Sequence, residues 1–575
     1  SLLLTFALGI PLFFCIDVFA ERKEFRGLQR QLAWVIGLIF LGLIYFSFPP
    51  EETFTNTRVP YIRYSIYNLA IHLMVAFLPY FGSENQESFW NYNKNLFIRL
   101  VQGIYYSVVI FTGISLALLA ITALFEVDIQ GETYVQIFAI TFGIFNTWFF
   151  LAGIPETFDE TLSPEEYPKG LKVFSQFILI PLLLIYLCIL YFYGAKIIIS
   201  GDWPKGIVSY MIIAIAVLGI FTNLLLYPYQ QWKESGWIKK FNKGYYLFLI
   251  PLVVLLFFAI GIRLLDYGLT VNRYIITLMG IWLACISIYF SLGKKNIKTI
   301  PISLAIFMIL SSFGPWGMFS LSEKMQRERL AEILTENNIL KNDKIQNEVK
   351  WEIRDMGRIK PKVDLSTKTI SNEELYEVNS IVEYLEDYHG LKNVYTWFEQ
   401  DLDSLLKQSE DSLAITFNNP SKLLVESMGL KHVTYFERLG GSSEYNELTL
   451  VGESDFQLTI SGFDYMRGVT INQYFTQKES FTDRKYHLEI DKDSKSNLLL
   501  KWSDGSVSID ISSYLIDLVN SYNSGYQNVS SKELIISRIE EGIEIKLQIS
   551  SITIVTTEDK LTIQSLDGFL FVLNI

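Results

Sequence analysis

The chain has 575 residues, of which 50% are hydrophobic and 19% charged, with a formal net charge of −12 and a mean hydropathy of +0.28. That length exceeds one ordinary domain, and so low a charge with a positive mean hydropathy is unusual for a soluble protein. The averages hide a break near Leu321. Beyond it stand 27 Lys+Arg against 42 Asp+Glu, a net charge of about −15; before it the balance is about +3. An acidic tail is a poor match for nucleic acid or an anionic membrane surface, so no nucleic-acid partner is expected.

Ser1 already lies in an apolar run, with no initiator Met and no basic leader. No signal peptide is read there, and the expectation is a natural chain that starts upstream. Ten stretches then approach the roughly 20 apolar residues that cross about 30 Å of hydrocarbon. They are Leu2–Ala20, Gln31–Phe48, Tyr64–Phe81, Leu100–Leu124, Tyr134–Ile154, Val173–Ile199, Val208–Tyr227, Tyr245–Leu264, Tyr274–Leu292 and Ile300–Leu321. Hydrocarbon offers the backbone no partner, and the alternation of a membrane barrel is absent, so these are predicted helices. Tyr and Trp gather at many ends, as at Tyr227, Tyr229 and Trp232. Cys15, Cys188 and Cys285 all fall inside apolar runs, which points to packing rather than a disulfide or metal site.

The odd-numbered connections hold 15 basic residues, among them Arg22, Lys94, Lys172, Lys233 and Lys298. The even-numbered connections and the span ends beside them hold six: Arg58, Arg63, Lys196, Lys205, Arg263 and Arg273. The positive-inside bias predicts cytoplasmic odd connections and an extracytoplasmic C-terminal domain.

Three regions follow: a multipass domain over 1–321, a helix and linker over 322–370, and an extracytoplasmic α+β domain over 371–575. Ser320-x-x-Glu323 and Ser371-x-x-Glu374 read as capping boxes. After the first, Met325, Leu330, Ile333 and Leu334 recur at helical spacing; after the second, Leu375, Val378, Val382 and Leu385 do, up to a stop at Gly390. Lys341–Thr369 reads as irregular linker. From about Leu413 the period becomes two, as in Ile543, Ile545, Leu547 and Ile549. Asp504-Gly505 and Asp567-Gly568 read as hairpin turns, and Ser512–Val519 as one intervening helix. The predicted fold class is a membrane all-α helical bundle of about ten transmembrane helices followed by a soluble α+β domain with a mostly antiparallel sheet.

Reaction motifs are few. HExxH, paired CxxC, GxSxG and GxxxxGK[ST] are all missing from the sequence, which argues against an enzyme, and no metal or cofactor is expected. His389, His432 and His487 are scattered. Tyr64, Asn68 and His72 form one polar stripe inside a span, readable as a helix contact or as a functional site. Asn146 with Thr147 and Thr222 with Asn223 are similar steps. The connection Arg263–Arg273 is the most distinctive. Arg263 and Asp266 can pair on a helix end, Asp266 can tether Arg273, and Tyr267 lies between them. It reads as a tight hairpin, or as a dock for the soluble domain or a polar ligand. Gly314, Pro315 and Trp316 interrupt the last span, as a hinge or a helix exit.

The residues Arg263–Tyr274 and Ser312–Ser320 resemble the bacterial membrane family catalogued as domain of unknown function 4153. The resemblance continues through Glu328-Arg329-Leu330, the helix end at 384–390, the Ser461–Tyr465 strand and the closing hairpins. It implies a Gram-negative inner membrane of the Bacteroidota type and sequence preceding Ser1; the family brings no catalytic residues. The function expected is a non-catalytic envelope protein, in contact with membrane lipids, that presents a periplasmic domain to an envelope protein partner. A transporter or lipid-handling protein is the alternative, and a membrane-embedded transferase the third.

Overall fold

Apolar runs that can bond only to themselves fold as helices. The computed structural model describes residues 2–48, 57–125, 129–155, 167–201, 207–231, 236–354, 358–361, 370–410, 420–433, 446–452, 462–472, 486–491, 496–502, 505–522, 525–540, 543–557 and 560–574. Leu413, Ser461, Asp504, Lys205, Trp232 and Lys233 lie outside these residues.

The principal helices of the first part are α1 (Leu2–Arg22), α2 (Leu28–Ser47), α3 (Val59–Phe77), α4 (Gln86–Phe125), α5 (Gly131–Leu151), α6 (Lys169–Ser200), α7 (Ile207–Leu225), α8 (Gly236–Tyr267), α9 (Val271–Ser291) and α10 (Thr299–Ser311). Eight are long and apolar enough to cross a membrane, so the expected count of about ten is approximate. The exceptions are α3, which carries Arg63, Asn68 and His72, and α10, which has 13 residues. Thirteen residues make about 20 Å of helix, short of the hydrocarbon thickness.

Both exceptions still run from one end of the bundle to the other. At one end, Arg22 lies over the Tyr80 ring beyond α3, and Lys298 Nζ at the start of α10 donates to the Ser83 carbonyl. Gln86 Oε1 accepts there from Tyr227 Oη and from the Ile297 N–H, each at 3.2 Å. At the other end, the Arg58 N–H before α3 donates to the Asp387 carbonyl at 2.8 Å. Beyond α10, the Trp316 carbonyl accepts from Tyr274 Oη at 3.0 Å. Between the ends, Leu183, Ile212, Leu249, Leu256 and Leu283 form a fully buried apolar core.

The first polar helices pack with the bundle. They are α11 (Met318–Glu336), α12 (Asn372–Tyr388), α13 (Leu402–Glu410) and α14 (Pro420–Ser427), grouped around Leu330, Leu334, Val378, Val382, Leu385 and Leu424. Ser371 caps α12 in a complete capping box, and Gly390 at φ +78° follows its end. The expected box at Ser320 is corrected: α11 begins after Gly317, so Ser320 sits inside the helix. A Cβ on Gly317 would come within 2.7 Å of the Phe313 carbonyl oxygen, so the chain reverses closely there and starts the helix earlier. The linker is less irregular than expected. Leu340–Lys341 pairs with Lys344–Ile345, and Trp351–Arg354 with Arg358–Pro361, both antiparallel.

Packing divides the chain into Ser1–His432 and Val433–Ile575, later than composition does. The second unit holds β1 (Asn446–Gly452), β2 (Tyr465–Asn472), β3 (Tyr486–Ile490), β4 (Leu498–Trp502), β5 (Gly505–Ile509), α15 (Ser512–Ser521), β6 (Gly525–Val529), β7 (Ile535–Glu540), β8 (Ile543–Thr557) and β9 (Lys560–Asn574). Its main sheet runs β6-β1-β8-β9-β2, with β7 also on β8, and β3-β4-β5 form a second sheet. Pairing is antiparallel except between β6 and β1. Asp567-Gly568 is not the expected turn; it lies within β9, opposite Ile549 and Ser551, at a register shift. A Cβ on Gly568 would come within 2.2 Å of the Gln548 carbonyl oxygen, so glycine there permits close strand approach.

Candidate functional site

A helix ends with carbonyls that no later N–H can reach. The α8 helix ends at Tyr267 because Gly268 takes φ +67° and returns its N–H to the Leu264 carbonyl at 3.1 Å. Thr270 then caps α9, accepting from the Arg273 N–H at 3.4 Å. The carbonyls left between the two helices are taken up by side chains. Arg273 Nη1 donates to Tyr267 O at 2.8 Å and to Gly268 O at 2.7 Å. Gln326 Nε2, from α11, donates to Tyr267 O at 3.2 Å and Leu269 O at 3.0 Å. Arg329, also from α11, donates to the Asp266 carbonyl and pairs with Glu377 of α12. The Val271 N–H donates to Tyr384 Oη at 2.9 Å. Cations suit this place because they meet the negative end of the α8 dipole.

The expected pairing of Asp266 with Arg263 or Arg273 does not form among the described residues. Asp266 is exposed and contributes its main-chain carbonyl, the group that has no helical partner.

Behind the turn lies His389. Its Nε2 is 3.1 Å from Ser322 Oγ and 3.4 Å from Tyr384 Oη. Burial lowers the imidazole from 6.5 to about 4 and pushes the Tyr384 phenol up to about 12, so both are neutral near pH 7. Beside them Arg58 Nη2 pairs with Asp387 Oδ2 at 2.7 Å and sits 5.6 Å from the Tyr388 ring centre.

The segment Gly314–Trp316 adjoins the same end. Gly314 has φ +74°, Trp316 Nε1 donates to the Leu310 carbonyl at 3.1 Å, and the Trp316 carbonyl is held by Tyr274. Of the stripe, Tyr64 shares a hydrophobic cluster with Val271, Phe319 and Tyr388. Tyr64 and Asn68 are half-buried on α3, whereas His72 is exposed, its Nδ1 2.7 Å from the Asn68 carbonyl. His432 and His487 fall in different units, and no group of three metal-ligating side chains occurs among the described residues. Sequence reasoning missed Gln326, Glu377, Ser322 and Tyr384 as members of the junction. Each reads locally as an ordinary helix residue, and only the long-range contacts give it a role.

Apolar spans followed by hydrogen-bonded extrinsic helices and an antiparallel-sheet unit define a multipass membrane protein. Residues 1–340 match the family described as Domain of unknown function (DUF4153), and the chain belongs to that family. The match includes the turn and Gly314–Trp316, and ends before α12 and the strand at 465. An uncharacterized protein of Pasteurella multocida (strain Pm70) is similar, 25% identical over 335 residues, or 58% of this chain. Those residues cover 54% of that relative, so the chain spans about half its length. No solved structure matches.

Proposed function

We propose that this chain is a non-catalytic protein of a bacterial inner membrane that presents an extracytoplasmic domain to a protein partner in the envelope. One observation carries the reading: α11 and α12 are fastened to the α8–α9 turn by Arg329, Gln326 and Tyr384. A load on those helices would pass directly into two spans. Arg273, Gln326 and Arg329 are occupied with main-chain carbonyls, and His389 is buried and neutral, which suits a mechanical role better than proton transfer. The opposite end gathers Arg22 and Lys298 from odd-numbered connections, which supports a cytoplasmic placement of that end.

Crosslinking in native membranes should recover a specific envelope protein bound to the region after α10; recovery of none would overturn the partner. Protease added to intact spheroplasts should cleave the tail; protection that ends only on dissolving the membrane would overturn the sidedness. A second reading, a transporter or lipid-handling protein, draws on the exposed His72 of α3. Transport or lipid transfer in reconstituted vesicles, lost in His72→Ala, would support it.

A further inference from the structure

The outward face of α3 is mostly polar where a lipid-facing helix is apolar. Its buried residues Ile66, Tyr67, Ala70 and Ile71 turn to the bundle, where α3 packs on α1 and α10. On the opposite side Tyr61, Ser65, Leu69 and His72 are exposed, with the half-buried Asn68 beside them. The α6 helix, by contrast, exposes Leu182, Ile185, Ile189 and Phe192. Asn68 stands at the midpoint of the 19-residue α3, about 14 Å from either end and so near the centre of the hydrocarbon. Ser65 Oγ donates to the Tyr61 carbonyl at 2.9 Å and is satisfied within the helix. A carbonyl only accepts, so His72 Nδ1–H donates to Asn68 O at 2.7 Å, and the neutral ring then offers Nε2 as an acceptor. That Nε2 and the Asn68 carboxamide have no hydrogen-bond partner among the described residues. Lipid tails supply neither donor nor acceptor, so leaving both groups bare in the hydrocarbon is costly.

A carboxamide has donors to give and the imidazole Nε2 lacks one, so the stripe complements itself. Two copies inserted with the same sidedness are related by a two-fold axis along the membrane normal. That axis sets one α3 parallel to the other, with the two stripes at the same depth. The bond from His72 to the Asn68 carbonyl also draws the ring back towards the Asn68 turn. We propose that the outward face of α3 is the contact face of a homodimer, in which Asn68 Nδ2 of each copy donates to His72 Nε2 of its twin. This goes beyond the partner-binding reading and does not depend on it; it gives His72 a second copy of the chain, rather than a transported molecule, to bind.

The test uses the full chain reconstituted in lipid vesicles over a range of dilutions, with its oligomeric state read by single-molecule photobleaching. The wild type should be a dimer that dissociates on dilution. Asn68→Leu with His72→Leu should weaken it about thirtyfold, the scale of two hydrogen bonds between helices in lipid. The melting temperature should not fall, because leucine suits the outward face of a monomer. In native membranes, with the exposed cysteines removed as Cys188→Ser and Cys285→Ser, Ser65→Cys should give a disulfide-linked dimer on copper-catalysed oxidation. Val109→Cys, on the exposed face of α4, should not. A monomeric wild type, a dimer that survives the double substitution unweakened, or equal crosslinking at Ser65 and Val109 overturns the contact face. A Ser65→Cys adduct with a different protein in place of the dimer overturns the second copy as its occupant.

Discussion

The two ends of the helical bundle meet the same requirement by different means. At the end holding Arg22 and Lys298, helix termini are tied by aromatic side chains from other membrane helices and connections. Trp90 Nε1 donates to Leu224 O at 2.6 Å and Tyr167 Oη to Leu225 O at 2.9 Å, while Arg22 lies 3.6 Å from the Tyr80 ring centre. At the turn end, the orphan carbonyls of α8 are met by Arg329 and Gln326 of a helix outside the apolar spans. One end is therefore closed within the bundle, and the other is completed by α11 and α12. The difference shows why a break in composition need not be a break in packing.

The contrast should fail most visibly in acid. His389 titrates at about 4 when folded against 6.5 as its ordinary value, so between those values the unfolded chain binds more protons. Stability should fall as pH drops through that window, by about 3 kcal/mol in all, and level off below it. Melting against pH measures the loss, His389→Gln should flatten the curve, and hydrogen exchange should place the loosening in α11 and α12. Replacing Arg329 by Gln leaves the half-buried Glu377 without its cation. It should cost about 2 kcal/mol, with faster exchange again at the turn end. Gly268→Ala forces a side chain onto φ +67° and brings a Cβ to 3.0 Å from Gln326 Nε2. A loss of about 1–2 kcal/mol in thermal unfolding is expected. The converse change sharpens the comparison: Trp90→Phe removes one hydrogen bond at the aromatic end, worth about 1 kcal/mol. It should speed exchange near Leu224 while α11 and α12 hold. Equal responses at both ends to any of these changes would erase the distinction.

Local signals were legible where local physics decides them. The Ser371–Glu374 box, the stop at Gly390 and the helix over Ser512–Ser521 are all readable from a few neighbouring residues. Gly568 was misread because a glycine after an aspartate has the same local signature whether it turns the chain or lets two strands approach; only the Gln548 carbonyl opposite distinguishes them. At the turn, the arginines stood out but their partners did not. Arg273 reaches carbonyls, which every residue has and no sequence pattern marks.

The sequence by itself determined a membrane-spanning helical region, an acidic tail and the alternation of its later strands, because transfer from water and side-chain period act residue by residue. Only the tertiary structure decided that α11 and α12 belong with the bundle, that α3 and α10 join its two ends despite their composition and length, and that His389 is buried between Ser322 and Tyr384. Those outcomes rest on backbone groups and charges brought together from distant parts of the chain, where the cost of leaving a buried carbonyl or cation unpaired selects the partner.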